Sequence, residues 1–153
     1  MSEYIYESIK AFVKDVECED KDRCLKLMAK ELAKASQINE NEIFSLLRAR
    51  ERFGSTALGG YFALPHAKTP LAKELIGGIF VTKEPVDFGS IDGMPTQLFF
   101  TVIAPSVKPS ILLKALAKIA KIFKDNEFKE KVMSAETLQE VVEIVKSKEL
   151  TYE

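Results

Sequence analysis

Apolar positions along this chain change their period twice, and each change marks a new kind of element. Between Lys21 and Ala35 they fall at Cys24, Leu25, Met28, Leu32 and Ala35. That 3.6-residue spacing predicts a helix, with Asp20 placed to cap it. Asn39 and Glu42 form an Asn-x-x-Glu start for a second helix, which turns Ile43, Leu46 and Leu47 inward and carries Arg48 and Arg50 at its end. Three glycines between Gly54 and Gly60 then predict a turn region. Tyr61 to Leu64 is a short apolar run that Pro65 is expected to end as a strand. Ile76 to Thr82 and Gln97 to Ala104 are rich in β-branched and aromatic residues and predict strands, the second buried on both faces. Asp87 to Gly93 between them is turn chemistry.

Helical spacing returns at Leu113, Leu116, Ala117, Ala120 and Phe123, within a helix from Ser110 to Phe123. A shorter helix is expected over Glu127 to Met133. A last one, capped at Ser134, buries Leu138, Val141, Val142 and Val145. Helices before, between and after a group of strands predict an α/β fold: a layered sandwich with a central mixed sheet covered by helices on both faces. No repeat or linker divides the chain, so residues 1–153 are read as one domain with room for a full core.

Charge narrows the function. Lys plus Arg number 22 against 23 Asp plus Glu, and no basic run or aromatic-basic stripe stands out, which argues against a nucleic-acid partner. Residues 1–7 lack the basic region of a signal peptide, and no stretch approaches the roughly 18 apolar residues of a membrane span. A cytoplasmic protein with no membrane insertion is the expectation. Cys18 and Cys24 flank Glu19-Asp20-Lys21-Asp22. A disulfide is not expected in a leaderless chain this poor in cysteine, and the two are read as packing residues.

His66 is the sole histidine, in Ala63-Leu64-Pro65-His66-Ala67-Lys68. One histidine cannot build a metal centre with only two cysteines and scattered carboxylates beside it, so no metal or other cofactor is expected. The plain reading is a hydrogen-bonded loop residue. The chemical reading is a nucleophile, because a neutral imidazole has a free ring nitrogen near pH 7. Other phosphate and acyl chemistries fail on pattern. Gly54-Ser55-Thr56-Ala57 is not a nucleophile elbow, and no Walker-type loop is present. Cys18 to Arg23 spans a loop whose acids would repel phosphate. Arg50 and Arg52 could be ordinary helix-end cations, and Ser55 and Thr56 ordinary turn formers. Together with His66 they are the parts that suit a phosphoryl group: a nucleophile, a guanidinium and hydroxyl or amide donors.

Arg50-Glu51-Arg52-Phe53-Gly54-Ser55-Thr56-Ala57-Leu58-Gly59-Gly60-Tyr61-Phe62-Ala63-Leu64-Pro65-His66 resembles the signature of the enzyme IIA domain of the bacterial phosphoenolpyruvate-dependent phosphotransferase system. The branch is the fructose/mannitol type, which includes nitrogen-regulatory IIA proteins. Pro85-Val86-Asp87-Phe88, Asp92-Gly93-Met94-Pro95, Leu98 to Pro105 and the helix Leu113 to Phe123 extend the similarity over nearly the whole chain.

The resemblance implies a phosphocarrier. His66 would accept a phosphoryl group from the carrier protein HPr and pass it to a cysteine of a IIB domain, or signal to a regulatory target by its phosphorylation state. Arg50 would neutralise charge, with Ser55 and Thr56 supporting the site. A chain of 153 residues leaves no room for an attached IIB, IIC or HPr domain, so a free-standing domain is expected. Two departures stand out. Ala57 and Tyr61 replace family glycines, so the turn must differ locally if those positions need positive φ. Leu112 falls where the family carries a second histidine, and leucine can neither hydrogen-bond a phosphoryl oxygen nor exchange a proton. A regulatory IIA fits this best. The alternative is a non-catalytic interaction module that keeps the fold and transfers phosphate poorly.

Overall fold

Caps decide where the helices start. The Asp20 side chain accepts from Arg23 N at 2.9 Å and begins α1 (Lys21–Ser36). Asn39 Oδ1 accepts from Asn41 N and Glu42 N and begins α2 (Glu40–Arg52). Pro109 stands at the first turn of α3 (Pro109–Ile122), where its missing N–H is no loss. Asp125 caps α4 (Asn126–Ser134) through Phe128 N. The final helix, α5 (Leu138–Leu150), is capped by Thr137, whose hydroxyl accepts from Glu140 N at 3.1 Å. Ser134, the expected cap, instead closes α4, because Asp125 starts that helix early and Ala135 turns extended behind it.

The computed structural model describes residues 4–152. After a 3-10 turn at Tyr6–Ser8, six strands form one sheet: β1 (Ile9–Val16), β2 (Ala57–Gly59), β3 (Phe62–Ala63), β4 (His66–Thr69), β5 (Ile76–Val86) and β6 (Thr96–Pro105). The order is β1-β5-β6-β3-β2, with β4 also on β6. β5 and β6 run antiparallel, while β1 on β5 and β3 and β4 on β6 run parallel, so the sheet is mixed.

β1 was not legible in the sequence. It is an edge strand with two register shifts and a positive φ at Asp15, so its side chains do not alternate cleanly. β3 does end ahead of Pro65, as expected, but a new strand, β4, begins directly after it at His66. Pro65 has no N–H to give, but its carbonyl accepts from Val102 N at 3.0 Å. The pairing of Phe62 with Leu98 and Ala63 with Phe99 therefore resumes in the same register as His66 with Val102. His66 opens a strand; it does not trail one.

Two cores sandwich the sheet. Phe62, Leu64, Phe100 and Val102 face Ile119, Phe123, Phe128, Val141 and Val145 of the α3–α5 layer. Phe62 stacks on Phe123 with ring centroids 4.7 Å apart. On the other face, Ala63, Ala67, Phe80, Phe99 and Ile103 meet Leu25, Met28, Leu32, Ile43 and Leu47 of α1 and α2.

Cys24 lies fully buried in that second core, as a packing residue should. The expectation of free thiols is nevertheless overturned: Cys18 and Cys24 form a disulfide, with Cα atoms 5.4 Å apart. The bend at the Asp20 cap folds Cys18 back over the first turn of α1, bringing the pair within bonding geometry. Glu149 of α5 closes the other end of the chain. Its buried carboxylate accepts from Ile5 N at 2.7 Å and Tyr6 N at 2.9 Å, and pairs with Lys118 at 3.2 Å.

Candidate functional site around His66

His66 is half-buried at the first residue of β4. Its Nδ1 lies 2.8 Å from the Leu64 carbonyl. A carbonyl only accepts, so Nδ1 carries the proton and Nε2 keeps its lone pair. Arg50 Nε donates to Nε2 at 3.2 Å, and Arg50 Nη1 donates to the Gly54 carbonyl at 2.9 Å. The last turn of α2 thus places a guanidinium on the one free ring nitrogen. Arg52, on the same helix end, is exposed.

The His66 pKa is pushed below its ordinary 6.5. Burial is the main cause, since desolvation disfavours the imidazolium, and the Arg50 charge acts the same way. The Leu64 hydrogen bond and the Glu51 carboxylate pull upward but do not prevail. At neutral pH the ring is a neutral base.

Ser55 and Thr56 are brought close to this end of the sheet, but their hydroxyls are already engaged. Ser55 Oγ donates to the Phe88 carbonyl and accepts from Ala57 N at 3.0 Å. Thr56 Oγ1 donates to Glu51, and Thr56 N donates to Glu51 Oε1 at 3.2 Å. Both residues shape the turn between α2 and β2.

Glu51 is the residue that the sequence reading left without a role. It is buried, and besides Thr56 it receives Lys21 Nζ at 2.9 Å. The same ammonium sits 4.7 Å from the centre of the Phe88 ring. Glu51 therefore ties α2, the 55–57 turn and the start of α1 together, one residue after Arg50. A sequence signal did exist, in a carboxylate immediately after the candidate arginine and on the inward side of a helix, but its cation lies 30 residues away.

The turn before β3 absorbs both glycine replacements. Ala57 sits in β2 and needs no positive φ, whereas Tyr61 adopts φ +54. Tyr61 is held there from several sides. Its carbonyl accepts from Gln97 N and Leu98 N, and its hydroxyl donates to Glu130 at 3.1 Å. Lys129 lies 4.6 Å from the centre of its ring and donates to the Gly60 carbonyl at 2.9 Å. Gly60 N donates to Asp92 at 3.0 Å. Gly60 shares the left-handed conformation, with φ +58, and a Cβ there would displace the end of the Lys129 side chain, whose Nζ would stand 2.8 Å away.

Leu112 is half-buried on α3 and packs against the core cluster that contains Leu64 and Val102. Val102 is the register partner of His66, so Leu112 covers the face of the sheet to which His66 belongs. It adds apolar surface there and no hydrogen-bonding group.

Among the described residues, no group of His, Cys, Asp and Glu is arranged to hold a metal ion. No helix among them is long and apolar enough to cross a membrane.

The site is thus a mixed sheet between two helical layers, with a neutral histidine at a strand start hydrogen-bonded to the arginine at a helix end. The family described as the phosphoenolpyruvate-dependent sugar phosphotransferase system EIIA 2 matches residues 6–148, and the chain belongs to that family. It is 33% identical over 125 residues to a nitrogen regulatory protein of Bradyrhizobium diazoefficiens, covering 82% of each chain. The crystal structure of nitrogen regulatory protein IIA-Ntr from Neisseria meningitidis superposes with a TM-score of 0.86 at 31% identity, over 92% of this chain and 98% of that one. The complex of mannitol enzyme IIA with phosphorylated mannitol enzyme IIB from Escherichia coli matches at a TM-score of 0.73 and 18% identity, over 91% of this chain and 99% of that one. At that identity the second likeness concerns the fold alone.

Proposed function

We propose that this chain is a regulatory IIA phosphocarrier, one unit over residues 1–153, working in the cytoplasm. It accepts a phosphoryl group on His66 Nε2 from an HPr-type carrier and signals, or donates onward, according to its phosphorylation state. The observation that carries the reading is the paired restraint on one imidazole: Leu64 fixes the proton on Nδ1, and Arg50 stands at the lone pair of Nε2.

The transfer is an in-line displacement. Nε2 of neutral His66 attacks phosphorus, the new N–P bond forms, and the bond to the donor's nitrogen breaks with its electron pair returning to the donor. Positive charge develops on the His66 ring, and the Leu64 carbonyl, accepting from Nδ1–H, stabilises it. The Arg50 guanidinium moves from Nε2 to the phosphoryl oxygens, where its fork spreads their charge. No metal is needed for either half. The identity to nitrogen regulatory proteins supports the regulatory branch. Membership of the EIIA 2 family supports a IIB-type partner.

The full chain, incubated with phosphoenolpyruvate, enzyme I and HPr, should gain one acid-labile, base-stable phosphoryl group by intact mass. His66→Ala should abolish that gain while keeping the fold, because a rim histidine contributes little to either core. Undiminished labelling of the variant would place the acceptor elsewhere.

A second reading is favoured by Leu112. With an apolar side chain where a second imidazole would assist proton movement, acceptance proceeds and donation is slow, and the domain serves chiefly as an interaction module. Single-turnover donation to a IIB cysteine separates the two readings.

A further inference from the structure

The disulfide and the buried carboxylate belong to one connected device. Cys18 and Cys24 bracket Lys21, the first residue of α1, in a loop closed across six positions. Lys21 reaches Glu51 at 2.9 Å while its ammonium rests over Phe88, whose carbonyl receives Ser55. Glu51 in turn holds both polar groups of Thr56 and follows Arg50 on α2. The route from the disulfide to the arginine on His66 therefore runs along the chain to Lys21, across its contact with Glu51, and along the chain again to Arg50.

The two sulfurs differ in access. Cys24 is fully buried, whereas Cys18 is half-buried and lines an open groove of about 660 Å³ with Glu17, Arg23, Lys83 and Pro85. An incoming thiolate can reach Cys18 and not Cys24. Most disulfides in compartments that keep thiols reduced are transient or sensing, heat-adapted organisms excepted.

Resting on the proposed phosphocarrier function, we propose that Lys21 is a positioning residue for His66 chemistry and that the Cys18–Cys24 disulfide is a redox-sensitive clamp that holds it in place. A protein dithiol of the Cys-x-x-Cys class is the reductant. Its thiolate attacks Cys18 Sγ, forming a mixed disulfide, and Cys24 leaves with the electron pair and takes up a proton. The second thiol of the reductant then attacks its own sulfur in the mixed disulfide and releases Cys18 as a thiol. Two electrons and two protons pass to this chain, and the dithiol becomes a disulfide.

Reduction leaves the Asp20 cap as the restraint on the first turn of α1, and Lys21 spends less time on Glu51. The Glu51 carboxylate, less neutralised, then favours the imidazolium of His66 and loosens the turn that Arg50 borders. Acceptance of the phosphoryl group slows.

The test compares the full chain oxidised and after reduction by excess dithiothreitol, with Cys18→Ser as a permanently open form. Two quantities are read: the NMR titration midpoint of the single imidazole, and the rate of labelling by phosphorylated HPr. Reduction and Cys18→Ser should each raise the midpoint and slow labelling severalfold. Lys21→Met should show both changes already in the oxidised protein, with no further response to reduction, and Lys21→Arg should restore the oxidised behaviour. A bond that resists native-state reduction, or identical midpoints and rates in the two states, overturns the clamp. A redox effect that persists at full size in Lys21→Met overturns the route through Lys21. Absence of labelling in every form, with the midpoint still responding, would count against the phosphocarrier reading and leave the clamp standing.

Discussion

The two faces of the sheet differ in where their buried polar groups lie. Under α3, α4 and α5 aromatic rings fill the centre, with Phe62, Phe100 and Phe128 around Phe123, and the buried carboxylate of Glu149 serves the chain ends. Under α1 and α2, the apolar layer ends in a buried carboxylate paired with a half-exposed lysine, and in a hydrogen-bonded turn at the end nearest His66. Dispersion and burial are indifferent to a few degrees of rotation, but a carboxylate receiving a lysine, a hydroxyl and an amide is not. The directional face is the one that aims Arg50. The other face supplies Leu112, which packs against the core and offers no hydrogen-bonding group.

In stability, the contrast is broken most severely at Glu51. Glu51→Ala removes the carboxylate shared by Lys21 and Thr56, leaves the buried Thr56 hydroxyl and amide without their acceptor, and should cost about 2 kcal/mol in urea denaturation. A loss well under about 1 kcal/mol would mean that the network is incidental. Arg50→Ala leaves the core intact and should slow phosphoryl acceptance by a transition-state loss of about 3 kcal/mol, read as the ratio of labelling rates. On the apolar face, Leu112→His should raise the donation rate to a IIB cysteine. If neither donation nor phosphohistidine lifetime changes, Leu112 is there only to pack.

A smaller effect is expected from pH. Because the folded-state pKa of His66 is depressed, folding opposes protonation of this ring. Its contribution is fully present above the unfolded value of about 6.5 and is lost as pH falls through the lower folded value. His66→Gln should flatten the stability curve across that window. The least effect is expected at Tyr61. Tyr61→Gly relieves a left-handed φ and gives up the Glu130 and Lys129 contacts, so stability should change by less than about 1 kcal/mol.

Those elements that one segment specifies by itself were legible in the sequence. Asp20 and Asn39 cap the helices they were expected to cap, and β6 is buried on both faces as its composition implies. Arg50 and His66 could be named as partners because a helix end and a motif converged on them. What depended on distant residues could not be read. Glu51 needs Lys21, the strand at His66 needs Val102 to reveal that Pro65 does not stop the ladder, and β1 needs β5 to be a strand at all. The disulfide was missed for another reason: compartment arguments spoke against it, while the bend at Asp20 that makes it possible is a matter of local geometry.

The Glu149 clamp turns an open chain into something closer to a buckled belt. Residues at opposite ends of the sequence, Ile5 and Tyr6 against Glu149, share one buried carboxylate. A force applied between the two termini therefore loads that buckle before it shears any strand from the sheet. Mechanical resistance in this fold begins at a pair of amide-to-carboxylate bonds, well away from the histidine.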